Sequence, residues 1–248
     1  MYQKPYLAEK YRAVSFDFRG HGRSEVPESR DYHVERLAED LKAVVDAFEP
    51  EQFVVAGHSM GGYAAFKFYE HFGKVFEGRL KGLAIIDSTG LDLATGMSLR
   101  WRLFGQLNKN QLENDLSKAL AAKLSDSSLM YVCIRWLMFG ERPLASELEW
   151  IQRMGCSTPI ATTKGAGKDL NDYCFEYYLP NVDIPVMLLV GSEDSLMAND
   201  RENTRTYALL PDARLKVFEG TGHMSPQERP EEFNGALDGF LTEVFSGE

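Results

Sequence analysis

The residues Gly57-His58-Ser59-Met60-Gly61 set a serine between two glycines directly after the short apolar run Phe53 to Ala56. A Gly-x-Ser-x-Gly segment between a strand and a helix has a mechanical reason. The serine sits on a turn so tight that neighbouring side chains would clash, and its hydroxyl is pushed out at the end of a sheet. A helix that begins at Met60 aims unpaired backbone N–H groups and a positive dipole end at the place where an oxyanion would form. The Met60 N–H is therefore a candidate oxyanion donor. A serine hydroxyl is a weak nucleophile at neutral pH, so the chemistry also needs a histidine base and a carboxylate to hold its tautomer.

Five histidines are available. His58 adjoins the serine on the turn and cannot easily fold back onto it. His21 lies in a glycine-rich loop, His33 begins a helix and His71 lies on one. His223, in Gly-Thr-Gly-His-Met-Ser-Pro after the last strand-like run, is the best base, because a loop at the carboxyl end of a parallel strand opens on the same sheet edge as the serine turn. For the acid, Asp194 in Leu-Leu-Val-Gly-Ser-Glu-Asp follows a strand and falls between serine and histidine in chain order. Glu193 and Asp200 compete with it, and Asp87, which also ends a strand, is the second choice. His58, Trp136, Met138 and Met224 are candidates for the wall of an apolar substrate pocket. Packing within the inserted segment explains the aromatic and methionine residues of that segment equally well.

These residues need a scaffold, and the patterning supplies one. Arg12 to Phe18 reads as a strand. Val34, Leu37, Leu41, Val44, Val45 and Phe48 recur at helical spacing. Phe53 to Ala56, Leu83 to Ile86, Pro185 to Val190 and Leu215 to Phe218 read as further strands. Helices are expected over 60–72, 201–210 and 230–245. Short β-branched runs alternating with helices imply parallel strands joined by crossover helices, an α/β sheet covered on both faces. Between about residues 88 and 183 strand signals vanish. The expected division is therefore a core of 1–88 and 184–248 with a helical insertion over 89–183.

Composition bounds the partners. A 248-residue chain with 44% hydrophobic residues can bury a substantial core, and its net charge of −10 disfavours nucleic acid. The three cysteines, Cys133, Cys156 and Cys174, show no CxxC spacing, so no thiolate metal site or disulfide framework is indicated. The longest apolar run, Ser128 to Gly140, contains Arg135 and is too short to span a membrane. No signal-peptide core is visible at the N-terminus. The expected location is cytoplasmic, with a targeting segment upstream of Met1 left open. Neither a metal nor an organic cofactor is called for, and oligomeric state is not readable.

The order Ser59, Asp194, His223, together with Asp17-Phe18-Arg19-Gly20-His21-Gly22-Arg23-Ser24 and Gly57-His58-Ser59-Met60-Gly61-Gly62, resembles the α/β-hydrolase superfamily from about residue 5 to 245. The resemblance is to its capped, cofactor-free serine hydrolases, with 89–183 matching the cap. It implies acyl transfer to water from a small or medium apolar ester or lactone. Ser59 would be the nucleophile, His223 the base, Asp194 the acid and the Met60 N–H an oxyanion donor. A carbon–carbon bond hydrolase, a perhydrolase and a non-catalytic ligand-binding relative are the alternatives. Serine in place of aspartate on the turn argues against the epoxide hydrolase and haloalkane dehalogenase branches.

One element of that family pattern is missing from the sequence. The second oxyanion donor normally comes from a His-Gly loop after a central strand that lies between the strands matched here by 12–18 and 53–57, and no such segment is present. The competing expectations are a chain start placed too far downstream or a truncated isoform, re-pairing of the flanking strands with weak activity, and a non-catalytic relative.

Overall fold

Alternation along single strands decides how the layers assemble. The structure is a computed structural model that describes residues 2–91, 138–140, 145–170, 173–194 and 200–247. In it four parallel strands, β1 (Phe53–His58), β2 (Leu80–Ile86), β3 (Val186–Gly191) and β4 (Ala213–Phe218), form one sheet in the order β1-β2-β3-β4. Leu83 and Ile85 of β2 join Val186 and Leu188 of β3 in a core on one face, while Ala84, Ile86, Met187 and Leu189 join a separate core on the other. That is the period-2 signature of strands buried on both sides, and it explains why these runs are almost continuously apolar.

Helices cover both faces. On the first lie α2 (Val34–Phe48) and α3 (Met60–Phe72); α1 is the short helix Gln3–Leu7. The face of α2 that carries Val34, Leu37, Ala38 and Val45 is buried, while Arg36–Glu39 and Lys42–Asp46 ion pairs occupy its outer surface. Eight residues of α3, from Gly62 to Tyr69, are buried, with Ala64 and Ala65 small enough to bring the helix close to its neighbours. Two helices of the insertion, α4 (Ala145–Ser157) and α5 (Ile160–Leu170), follow. Then come α6 (Asp200–Leu209), the short α7 (Ser225–Glu228) and the closing α8 (Pro230–Ser246). Phe233, Leu237 and Phe240 of α8 fill the second face. Burying each such side chain contributes about 1.5–3 kcal/mol.

β2 and β3 are adjacent and parallel, yet the chain between them runs from 87 to 185, so the insertion leaves and returns at one place. The Phe175 N–H donates to the Gly90 carbonyl at 2.8 Å, and the Tyr63 hydroxyl donates to the Leu91 carbonyl at 2.7 Å. These contacts tie the departing and returning chain to each other and to α3.

The expected strand over Arg12–Phe18 is not one. Residues 12–18 carry no ladder bonds, and Val14 and Phe16 stand exposed. A strand is completed by a partner, and β1 pairs with β2 alone among the described residues. Val14, Phe16 and Phe18 alternate as in a strand, but the segment has no neighbour to bond among the described residues.

Candidate active site

The four strands end on one edge, and the residues of chemical interest follow directly from those ends. After β1, Ser59 adopts φ 55° and ψ −121°, a left-handed backbone that non-glycine residues seldom take. Its amide donates to the Ile86 carbonyl at 2.9 Å, which locks the turn to the end of β2, and the Gly62 N–H returns to the Ser59 carbonyl at 2.9 Å. The turn is so tight that a Cβ on Gly57 would lie 2.1 Å from the Gly61 carbonyl oxygen. Helix α3 begins at Met60, with Ser59 as its cap, so the Met60 N–H belongs to the first turn, whose amides have no partners within the helix.

The loops after β3 and β4 are joined to each other. The Ser192 N–H donates to the Phe218 carbonyl at 3.1 Å, and the Glu193 N–H donates to the Thr221 carbonyl at 2.8 Å. A Cβ on Gly191 would sit 2.2 Å from the Gly222 carbonyl oxygen, so the two loops approach more closely than any larger residue there allows. This seam carries Asp194 and His223 together. His223 Nδ1 donates to Asp194 Oδ2 at 2.8 Å, with the two residues only 2% and 4% exposed. A proton on Nδ1 leaves the Nε2 lone pair free to accept one, which is the form a general base requires. Burial works to lower the imidazole's pKa, but the charge and hydrogen bond of Asp194, joined by the charge of Asp87, outweigh it and raise His223 above the ordinary 6.5.

Glu193 is exposed, and Asp200 begins α6 with its side chain outside the described residues. Asp87 is fully buried, but its oxygens are occupied: Oδ1 accepts from the Gly191 N–H at 2.9 Å, and Oδ2 accepts from the N–H and hydroxyl of Ser225 at 3.0 and 2.8 Å. It therefore does not stand where Asp194 stands.

His58 turns away from its neighbour Ser59, as expected for a tight turn. Its Nε2 donates to the backbone carbonyl of His223 at 2.8 Å, and the two rings lie 4.9 Å apart, centre to centre. The serine turn is thus tied to the His223 loop by the His58 side chain. Met224 is buried in a small cluster with Phe139 and Ile151, against which Met138 and Trp150 pack. Two of the expected pocket residues, Met138 and Met224, are therefore brought together beside His223. Trp136 lies outside the described residues.

The sequence reading missed Glu228. Its Oε1 accepts from the Gly222 N–H at 2.7 Å and its Oε2 from the Gly140 N–H at 3.0 Å, so one carboxylate joins the histidine loop to the insertion. An acidic residue five positions beyond a histidine carries no signal of such a bridge. Around Arg19, the guanidinium grips Asp40 through Nε at 2.7 Å and a terminal nitrogen at 2.6 Å, while Asp17 accepts from the Arg23 N–H at 3.0 Å. The Arg19 pair ties its loop to α2, and the Asp17 contact closes the loop on itself. Among the described residues no His, Cys, Asp and Glu grouping fits a metal ion, no helix is long and apolar enough to cross a membrane, and Cys174 is a free thiol.

Against known proteins, the family described as alpha/beta hydrolase fold matches residues 1–230. The chain is 23% identical to 3-oxoadipate enol-lactonase 2 of Acinetobacter baylyi over 96% of its own length and 82% of that protein. It is 25% identical to epoxide hydrolase 3 of Xenopus tropicalis, over 98% of its length and 68% of that protein. Its backbone superposes on an esterase from Exiguobacterium antarcticum with a TM-score of 0.76 at 20% identity, covering 97% of this chain and 85% of that one. At such identity the structural likeness concerns the fold.

Proposed function

The chain belongs to the alpha/beta hydrolase fold family, and from that premise we propose that it is a serine hydrolase of a small or medium-sized apolar carboxylic ester or lactone. The observation that carries the reading is the buried Asp194–His223 pair, whose histidine loop is tied through His58 to a serine in a strained turn at a helix start. The enol-lactonase relative supports an acyl substrate. An epoxide hydrolase lies at similar sequence distance, but the turn here carries a serine, and a serine alcohol forms an acyl ester.

In the proposed mechanism His223 Nε2 removes the Ser59 proton as the hydroxyl attacks the substrate carbonyl. Asp194 holds the ring in the right tautomer and stabilises the imidazolium that forms. The developing oxyanion is met by the first amides of α3, led by the Met60 N–H. The protonated histidine then passes its proton to the leaving alcohol, and water, activated by the same imidazole, releases the acid. The described part of the insertion, which packs Met138 and Phe139 beside Met224, serves in this reading as the apolar wall next to His223.

The test is a short-chain p-nitrophenyl ester assay paired with a fluorophosphonate probe. Wild-type protein is expected to turn over and to be labelled at Ser59, whereas Ser59→Ala is expected to do neither. A folded protein that neither turns over nor labels would leave the ligand-binding reading in its place.

A further inference from the structure

Asp87 is the buried carboxyl group that the mechanism does not use. It has no solvent exposure, ends β2 in a left-handed conformation with φ 43°, and its amide donates to the Leu189 carbonyl at 2.8 Å. Few positions combine a strained backbone with a carboxylate removed from water, and both cost free energy unless neighbours compensate. Here the compensation comes from both loops that carry the acid and the base.

Oδ1 takes the Gly191 N–H, three residues before Asp194, at 2.9 Å, and Oδ2 takes the N–H and hydroxyl of Ser225, two residues after His223, at 3.0 and 2.8 Å. The same Oδ2 lies 3.6 Å from His58 Nε2, whose hydrogen bond goes to the His223 carbonyl. All three strand ends that bear the site therefore converge on one carboxylate.

We propose that Asp87 is a positioning residue, whose carboxylate ties the Asp194 loop to the His223 loop and, through His58, to the Ser59 turn, fixing the separation of the acid–base pair. The proposal rests on the reading of Ser59, His223 and Asp194 as the reacting groups. An isolated structural carboxylate would act on stability alone. This one also contributes charge at the imidazole, alongside Asp194, His58 at 4.9 Å between ring centres and Glu228 bonded to the preceding Gly222.

Asp87→Asn is the decisive substitution, because asparagine tolerates a left-handed backbone. It keeps one acceptor oxygen and turns an NH2 group toward donors that need an acceptor. The negative charge of Asp87 raises the His223 pKa, so removing it moves that pKa down. The expected result is a His223 ring titration, followed by NMR, that shifts to lower pH. In parallel kcat falls about 10- to 100-fold with KM changed much less, as for a reacting pair displaced by a fraction of an ångström, and the acid limb of kcat/KM moves with the ring.

Ser225→Ala and His58→Gln cover the case in which Asp87→Asn does not fold. Ser225→Ala removes one bond without touching a charge and should lower kcat while leaving the His223 titration in place. His58→Gln retains a donor toward the His223 carbonyl and should keep more activity than His58→Leu. A folded Asp87→Asn with an unmoved His223 titration and unchanged kcat overturns the proposal. Because the titration is read without substrate, it decides the matter even in a protein with no ester turnover, a result that would instead count against the hydrolase reading.

Discussion

Replacing Gly57 by alanine tests the serine turn at its tightest contact. An alanine Cβ there would lie 2.1 Å from the Gly61 carbonyl oxygen, 2.3 Å from its carbonyl carbon and 2.7 Å from the Gly62 nitrogen. All three are backbone atoms, so no side chain can rotate away, and contacts under 3.0 Å essentially do not occur. The turn must open by at least 0.9 Å, the difference between 3.0 and 2.1 Å. A misplacement of about 1 Å at a reacting group costs about 100-fold in rate, equivalent to about 2.7 kcal/mol in the barrier. Forcing atoms into a packed region costs about 1–3 kcal/mol of stability, which at this chain size lowers Tm by about 2–12 °C. The matched control is Gly235→Ala in α8, where an added Cβ meets nothing within 4 Å. That change is expected to stabilise by about 0.5–1 kcal/mol through helix preference alone. Ester turnover and thermal melting of both variants supply the comparison. A Gly57→Ala protein with turnover within threefold of wild type and an unchanged Tm would refute the turn geometry and, with it, the role assigned to Ser59.

Two further outcomes follow from the same site. With His223 raised above 6.5, kcat/KM should climb through an acid limb lying above the ordinary histidine range. Asp194→Asn should move that limb down and lower kcat by about 10⁴-fold; a pH–rate profile unaffected by the substitution would exclude Asp194 as the orienting acid. Glu228→Ala removes the acceptor shared by the Gly140 and Gly222 amides, hydrogen bonds to a charged group worth about 1.5–3 kcal/mol each when well shielded and less at this partly exposed position. It should lower Tm and raise KM with kcat within a few-fold, and unchanged values of both Tm and KM would show that the bridge does not hold the insertion against the histidine loop.

What the sequence disclosed and what it withheld divide along one physical line. The serine turn, its helix and the strand-end positions of Asp194 and His223 rest on local rules: glycines where the backbone turns sharply, apolar runs where a strand is buried on both faces, and chain order along a parallel sheet. The β2–β3 pair was legible for the same reason, since Val-Met-Leu-Leu-Val reads as a fully buried strand whatever lies between. Arg12–Phe18 looked equally strand-like, and yet bonds no neighbour. β-propensity reports a side-chain surface, whereas a strand is a relation between two backbones. Asp87 shows the other side of that limit. Its bonds reach 104 residues to Gly191 and 138 to Ser225, distances at which no spacing rule operates, so a residue weighed from sequence as an alternative acid proves to be a buried crosslink between loops. Glu228 is the same kind of case, 88 residues from Gly140. The proposed nucleophile, base and acid each announce themselves through the turn they need, but the groups that hold those turns at a fixed separation are specified only by the packed sheet edge. Substitutions at Asp87 and Glu228 are therefore where sequence pattern and folded structure make different forecasts, a neutral change from the first and a displaced Asp194–His223 pair or a loosened insertion from the second.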